Sequence, residues 1–236
     1  VCVNTRILGV DLDGGFADFA VVPAANARHT SREVPVEIAA MQDALGNAVH
    51  TLQAGPVNGQ RLLITGMGPI GLMAVAAAKA MGAAQVVATE VGSFRSALAR
   101  DLGADLVIDP LDSNSAPVLA EAAKDGFDGA LEMSGNPAAL AQAIQHTRPG
   151  GRVSLLGVYA DSPLPVDLNS AIFKGLRIDA VVGRRLWSTW DQMRELLERG
   201  ALDVGKVITH RIAVENYQEA WELLAGGQAG KVVLTF

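Results

Sequence analysis

The spacing of apolar positions along this chain changes period repeatedly, and each change outlines an element. Arg61–Thr65 (RLLIT) is a short apolar run with strand character. From Ile70 the positions Ile70, Met73, Ala74, Ala77 and Met81 recur at three- and four-residue steps, which predicts one face of a helix. Gln85–Thr89 (QVVAT) reads as a second strand, Phe94–Leu102 as a helix ended by Gly103, and Asp105–Asp109 as a third strand closed by Pro110. Pro117–Lys124 predicts a short helix and Phe127–Met133 (FDGALEM) a fourth strand. Ser134–Pro137 turns into a helix running to about Thr147, with a turn at Pro149–Gly151. Arg152–Val158 and Leu176–Val182 predict the fifth and sixth strands. Strands alternating with helices imply an α/β doubly wound parallel sheet, with strand order 3-2-1-4-5-6 as the default. A ligand then lies beyond the strand C-termini, where the order reverses between strands one and four. That places Gly66–Gly71 opposite Met133–Gly135 and Leu156–Val158.

The two ends of the chain depart from this alternation. Gly14–Pro23 (GGFADFAVVP) has strand character, Ala24–Val34 is polar and irregular, and Pro35–Leu52 predicts a helix with Ile38, Met41, Leu45 and Val49 on one face. Gly55–Gly59 (GPVNG) is a turn-rich separator. In the tail, Thr189–Arg199 and Tyr217–Leu224 read as amphipathic helices and Val207–Val214 and Lys231–Phe236 as short strands. These either extend the sheet or return to pack on the Gly14–Leu52 segment.

The chemistry concentrates at the first strand–helix junction. Gly66, Gly68 and Gly71 stand in G-x-G-x-x-G order. The first allows a tight turn, the second lets backbone approach a pyrophosphate, and the third lets the helix sit close against the strand. With Pro69 and Ile70 they open a helix whose unpaired N–H groups favour phosphate. Glu90, directly after the second strand and ~20 residues beyond the third glycine, stands where such a unit places the acid that binds ribose hydroxyls. Its rival role is a solvated carboxylate at a strand end. A carboxylate there repels a 2′-phosphate and so prefers NAD to NADP, whereas Arg95 nearby is of the type that accommodates that phosphate. His50 reads as a structural hydrogen-bond partner, and His29, His146 and His210 show no metal-ligand spacing.

Composition narrows the class. The 236 residues are 50% apolar and 19% charged, with net charge −6 and no basic cluster, which argues against nucleic acid or an anionic membrane as partner. The most apolar stretch, Ile70–Val87, contains Lys79 and reads as a buried helix and strand rather than a membrane span. A single cysteine excludes an internal disulfide framework, and a cytoplasmic protein is the expectation. The chain begins Val-Cys-Val without a methionine, which suggests a piece or a trimmed product of a longer protein.

Several stretches together resemble the medium-chain zinc-dependent alcohol and polyol dehydrogenases, and most closely the L-threonine 3-dehydrogenase branch. They are Asp43–Thr51 (DALGNAVHT), Ile64–Gly71 (ITGMGPIG), Leu131–Pro137 (LEMSGNP), Ile172–Leu176 (IFKGL), Gly183–Arg184 with Thr189–Trp190, Val207–Arg211 (VITHR) and Gly230–Leu234 (GKVVL). The resemblance implies an NAD-binding Rossmann domain (46–186) inserted in the remnant of a GroES-like barrel catalytic domain, represented by residues 1–45 and 187–236. It implies zinc as well as NAD, a small-molecule substrate, and a homo-oligomer, dimer or tetramer, paired through Leu176–Val182. By the same resemblance Asp43 sits near the catalytic zinc and supports proton relay, although Ala44 and Leu45 replace the family's Pro and Phe. Arg95 lies along the adenine, and Leu156, Gly157, Val158, Val181 and Val182 contact the nicotinamide half. Cys2 matches the last of four structural-zinc cysteines, and the catalytic zinc ligands lie upstream of anything present. The implied activity is NAD-linked oxidation of a secondary alcohol, L-threonine to 2-amino-3-oxobutanoate. The alternatives are a polyol or other secondary-alcohol dehydrogenase, or a dinucleotide-binding module without catalysis. One thiolate cannot build a tetrahedral zinc site, so this chain alone is expected to bind NAD without turnover.

Overall fold

The computed structural model describes residues 3–161 and 163–236. The chain divides into two compact units, 1–32 and Glu33–Phe236. In the first unit, Gly9 N–H donates to Leu12 O (2.8 Å) and Ile7 N–H to Asp11 Oδ2 (2.7 Å), and one 3₁₀ turn covers Ala24–Asn26. The strand expected at Gly14–Pro23 does not form. Phe19 and Val21 are over 90% exposed (91% and 95%), and no neighbouring strand among the described residues of this unit takes up the backbone donors and acceptors.

The second unit opens with α1 (Val36–Ala40) and α2 (Gln42–Leu52). These replace the single helix expected over Pro35–Leu52, because the chain tightens at Met41, whose N–H bonds Ile38 O. The turn keeps Ile38, Met41, Leu45 and Val49 all buried in one core. Next come β1 (Arg61–Thr65), α3 (Pro69–Ala80), β2 (Gln85–Thr89), α4 (Ser93–Asp101), β3 (Leu106–Ile108), α5 (Ser115–Ala123), β4 (Phe127–Glu132), α6 (Pro137–His146), β5 (Thr147–Leu155), α7 (Leu168–Phe173) and β6 (Arg177–Ala180). The sheet is parallel throughout, in the expected order β3-β2-β1-β4-β5-β6. The helix α7 carries no signal that the apolar spacing revealed. The turn expected at Pro149–Gly151 is a bulge within β5, where the register with β4 shifts and Gly150 takes φ +70°.

Alternation along β1 divides the core between the two faces of the sheet. Leu62 and Ile64 join α2, α3 and α4 on one face, while Leu63 joins Leu119, Leu140 and Ile144 on the other. Helix α3 lies between the sheet and α2, so Leu72 through Ala78 are buried all round.

Basic side chains close several helix C-termini, that of α4 through Lys206 Nζ to Asp101 O (3.2 Å). Buried Arg152 donates to Thr51 O, Leu52 O and Pro56 O at the end of α2. Burial, ahead of the nearby Arg177 charge, lowers its pKa to about 10, so the guanidinium keeps its charge at neutral pH. Arg61 bonds Ala122 O and Ala123 O at the end of α5, and Lys174 bonds Ile144 O, Gln145 O and Thr147 O at the end of α6.

The tail forms its own layer. After α8 (Ser188–Glu198), β7 (Ile208–Ala213) and β8 (Lys231–Thr235) pair in parallel, linked by α9 (Tyr217–Ala225). The six-stranded sheet is therefore not extended. The tail packs back on the α1–α2 segment: Met193 of α8 is buried with α2, and Arg211 of β7 forms a two-point ion pair with Glu37 of α1, both bonds 2.6 Å.

Candidate functional site

The site begins where β1 ends. Gly66 takes φ +83°, a conformation that favours glycine, and a Cβ there would stand 2.6 Å from Ser134 Cβ. Its N–H bonds Thr89 O (2.9 Å), which ties the turn to β2. A Cβ on Gly71 would overlap Gly66 O, so helix and turn touch backbone to backbone. Gly68 differs from both: a Cβ there would meet nothing within 4 Å. It is the N-cap of α3, Pro69 occupies the first turn, and no side chain caps the helix. The first-turn amides, Ile70 among them, thus adjoin open space. Of the three glycines, two are filled by protein and the middle one by nothing, as a cradle for a phosphate requires.

Glu90 is 8% exposed. Its Oε2 accepts from Met67 N–H inside the glycine turn (2.7 Å), and its Oε1 from Gly92 N–H (2.8 Å). Each oxygen keeps a further lone pair for an outside donor. The acid expected to bind ribose braces the glycine turn at the start of α3. Arg95, in the first turn of α4, is half-buried and donates from Nε to Ala229 O (3.1 Å), which anchors the approach to β8.

On the other side of the reversal the loops after β4 and β5 meet. Leu156 N–H and Gly157 N–H both bond Glu132 O (2.9 and 3.1 Å). A Cβ on Gly135 would overlap Val158 O, and one on Gly157 would overlap Gly135 N. The expected juxtaposition of Gly66–Gly71, Met133–Gly135 and Leu156–Val158 is therefore present. Val158 is 90% exposed at the rim. Val181 N–H continues the pairing to Leu155 O (2.8 Å), and Val182 beyond it is exposed.

Arg184, two residues further on, brings in α2. Asp43 Oδ1 pairs with Arg184 NH2 at 2.5 Å while staying largely exposed. The guanidinium stacks over the Trp190 ring (5.8 Å to the centroid), and its Nε is buried without a partner. His50 Nδ1 lies 2.9 Å from Gly183 O, the structural role expected for it. Cys2 lies outside the described residues. Among the described residues no group of three or more His, Cys, Asp or Glu side chains is gathered as a metal would need.

Two residues at this site escaped the sequence reading. Glu132 ends β4 fully buried, and Tyr159 follows the β5 loop and donates to Glu132 Oε2 (2.8 Å). The available signal was a carboxylate closing the buried Gly129–Glu132 run of a central strand, a place acids avoid unless paired.

A doubly wound parallel sheet with a glycine-cradled helix start and an acid after β2 defines a dinucleotide-binding α/β protein. Residues 69–199 match the zinc-binding dehydrogenase family, and this chain belongs to that medium-chain family. It is 46% identical over 236 residues to the L-threonine 3-dehydrogenase of Pyrococcus horikoshii, covering 99% of this chain and 68% of that protein. Among solved structures it resembles an alcohol dehydrogenase from Thermus sp. ATN1 (TM-score 0.88, 30% identity, 96% of this chain and 66% of the other). It also resembles a short chain alcohol dehydrogenase from E. coli CFT073 complexed with NADH (TM-score 0.90, 27% identity, 100% of this chain and 70% of the other). The chain thus spans about two thirds of the length of these proteins. Among the described residues no helix is long and apolar enough to cross a membrane.

Proposed function

We propose that this chain supplies the NAD-binding part of a zinc-dependent dehydrogenase that oxidises L-threonine at its C3 hydroxyl to 2-amino-3-oxobutanoate. The single observation that carries the cofactor half is the open space at Gly68, between an uncapped helix start and the Glu90 carboxylate. The threonine assignment rests on the 46% identity to an L-threonine 3-dehydrogenase. Bound NAD supplies the hydride acceptor. Gly66, Gly68, Pro69, Ile70 and Gly71 receive its pyrophosphate, Glu90 accepts from the adenosine ribose hydroxyls, and Arg95 borders the adenine. Leu156, Gly157, Val158, Val181 and Val182 flank the nicotinamide. Asp43, held at the same end of the sheet through Arg184, is the candidate for proton relay. Residues 1–45 and 187–236 belong to the catalytic domain and 46–186 to the cofactor domain. The exposed edge at β6, with Ile178 and Val182 uncovered, supports pairing with a second copy. A cytoplasmic location belongs to the same reading.

The described residues do not fit a zinc site, so no step is assigned to one. The purified chain is expected to bind NAD, retain no stoichiometric zinc and form no NADH from L-threonine. Elemental analysis and an NADH absorbance assay with added zinc check this, and zinc-dependent turnover would contradict it.

Cofactor choice tests the Glu90 assignment. NAD is expected to bind about tenfold more tightly than NADP, because a carboxylate facing a 2′-phosphate is incompletely screened in a cleft. Glu90→Ala should narrow that ratio and also weaken NAD itself, since Met67 N–H and Gly92 N–H lose their acceptor. Calorimetric titration of both cofactors measures it; equal affinities in the parent would remove Glu90 from the ribose site.

A further inference from the structure

The Glu132 carboxylate gathers an unusual number of donors. Its Oε1 accepts from Ser134 N–H (2.7 Å), Ser134 Oγ–H, Gly135 N–H (3.1 Å) and Thr65 Oγ1–H (3.3 Å). Its Oε2 accepts from Tyr159 Oη–H (2.8 Å). The backbone carbonyl of the same residue takes Leu156 N–H and Gly157 N–H. One residue therefore holds both loops at the reversal point, the 134–135 turn through its side chain and the 156–157 turn through its main chain. Tyr159 completes the closure, tying the far end of the β5 loop to the carboxylate while its side chain packs, partly buried, against the core on that face of the sheet. Burial first, then the bond to Glu132 and its charge, push the Tyr159 phenol upward, which keeps it a donor across the neutral range.

A core acid needs a few bonds to be tolerated. Here nearly all of them come from two loops, and both lie over β4 and β5. In this sheet order, a dinucleotide with its adenosine beside Glu90 and its pyrophosphate at Gly68 must lay its other half over β4 and β5. We propose that Glu132 and Tyr159 are positioning residues for the nicotinamide half of the cofactor, setting the separation of the two loops that flank the ring. This rests on the dinucleotide reading above.

ADP-ribose carries the adenosine and pyrophosphate without the nicotinamide, so it separates a local role from a general one. In the 236-residue chain, Tyr159→Phe keeps the ring and removes one hydrogen bond. It is expected to weaken NADH binding about tenfold, leave ADP-ribose affinity within about twofold, and reduce the blue-shifted emission of bound NADH. Far-UV circular dichroism and the thermal midpoint should stay near those of the parent. Glu132→Gln, with the same shape but an amide facing donors, should act in the same direction and more strongly. Equal weakening of NADH and ADP-ribose by Tyr159→Phe, or unchanged NADH binding and emission, would overturn the positioning role. Failure of the parent to bind either molecule would overturn the dinucleotide reading and this inference with it.

Discussion

Gly68→Val is expected to reduce NAD affinity at least about a hundredfold while the chain stays folded. The loss follows from where the new side chain goes. A Cβ on Gly68 meets no protein atom within 4 Å, so the isopropyl group occupies the gap that the pyrophosphate is assigned. The fold tolerates it because Gly68 sits at φ −64°, ψ 179°, an extended conformation that valine adopts readily. The remaining cost is a poorer N-cap, about 1 kcal/mol or less. Calorimetry with NAD beside a thermal melt measures both parts. A variant that binds NAD like the parent would show that the cofactor does not use this turn.

Gly71→Ala should do the reverse, damaging the fold with a smaller change of side chain. One methyl group there overlaps Gly66 O, and neither the strand end nor the first turn of α3 can move without disturbing β1. Overpacking of this kind costs about 3 kcal/mol, which in a chain of this size lowers the melting midpoint by roughly 6–12 °C. The thermal melt checks it; a midpoint equal to the parent's would mean that the helix is not seated as tightly as the turn suggests. The two glycines stand three residues apart in one motif, yet the first variant reports on the ligand and the second on the scaffold.

The strands β1, β2 and β3 were legible because they are short, largely apolar runs between turn residues, as burial on both faces of a parallel sheet favours. The glycine turn and Glu90 were legible because their spacing is a covalent fact of the chain. Elements without a burial pattern were not. Gly14–Pro23 has the composition of a strand, but a strand exists through its neighbour, and composition says nothing of neighbours. The helix α7 is short and leaves Ile172 and Phe173 exposed, so no periodic face marked it. Glu132 and Tyr159 meet across 27 residues, a contact set by the crossing of two loops that no spacing rule encodes. Cys2 and its expected metal role lie outside the described residues.

The basic helix caps also bear on the polarity of the molecule. Arg61, Arg152 and Lys174 spend their donors on carbonyls at the ends of α5, α2 and α6, so the negative poles of those helices are neutralised from within. The start of α3 keeps its positive pole, with no side-chain hydrogen bond capping it. On the dinucleotide reading proposed above, this pole is what draws a diphosphate to a chain of net charge −6. Attraction of that kind is short-ranged and built from fixed dipoles in a cleft. Added salt should erode it far less than it erodes anion binding by a field of mobile cations.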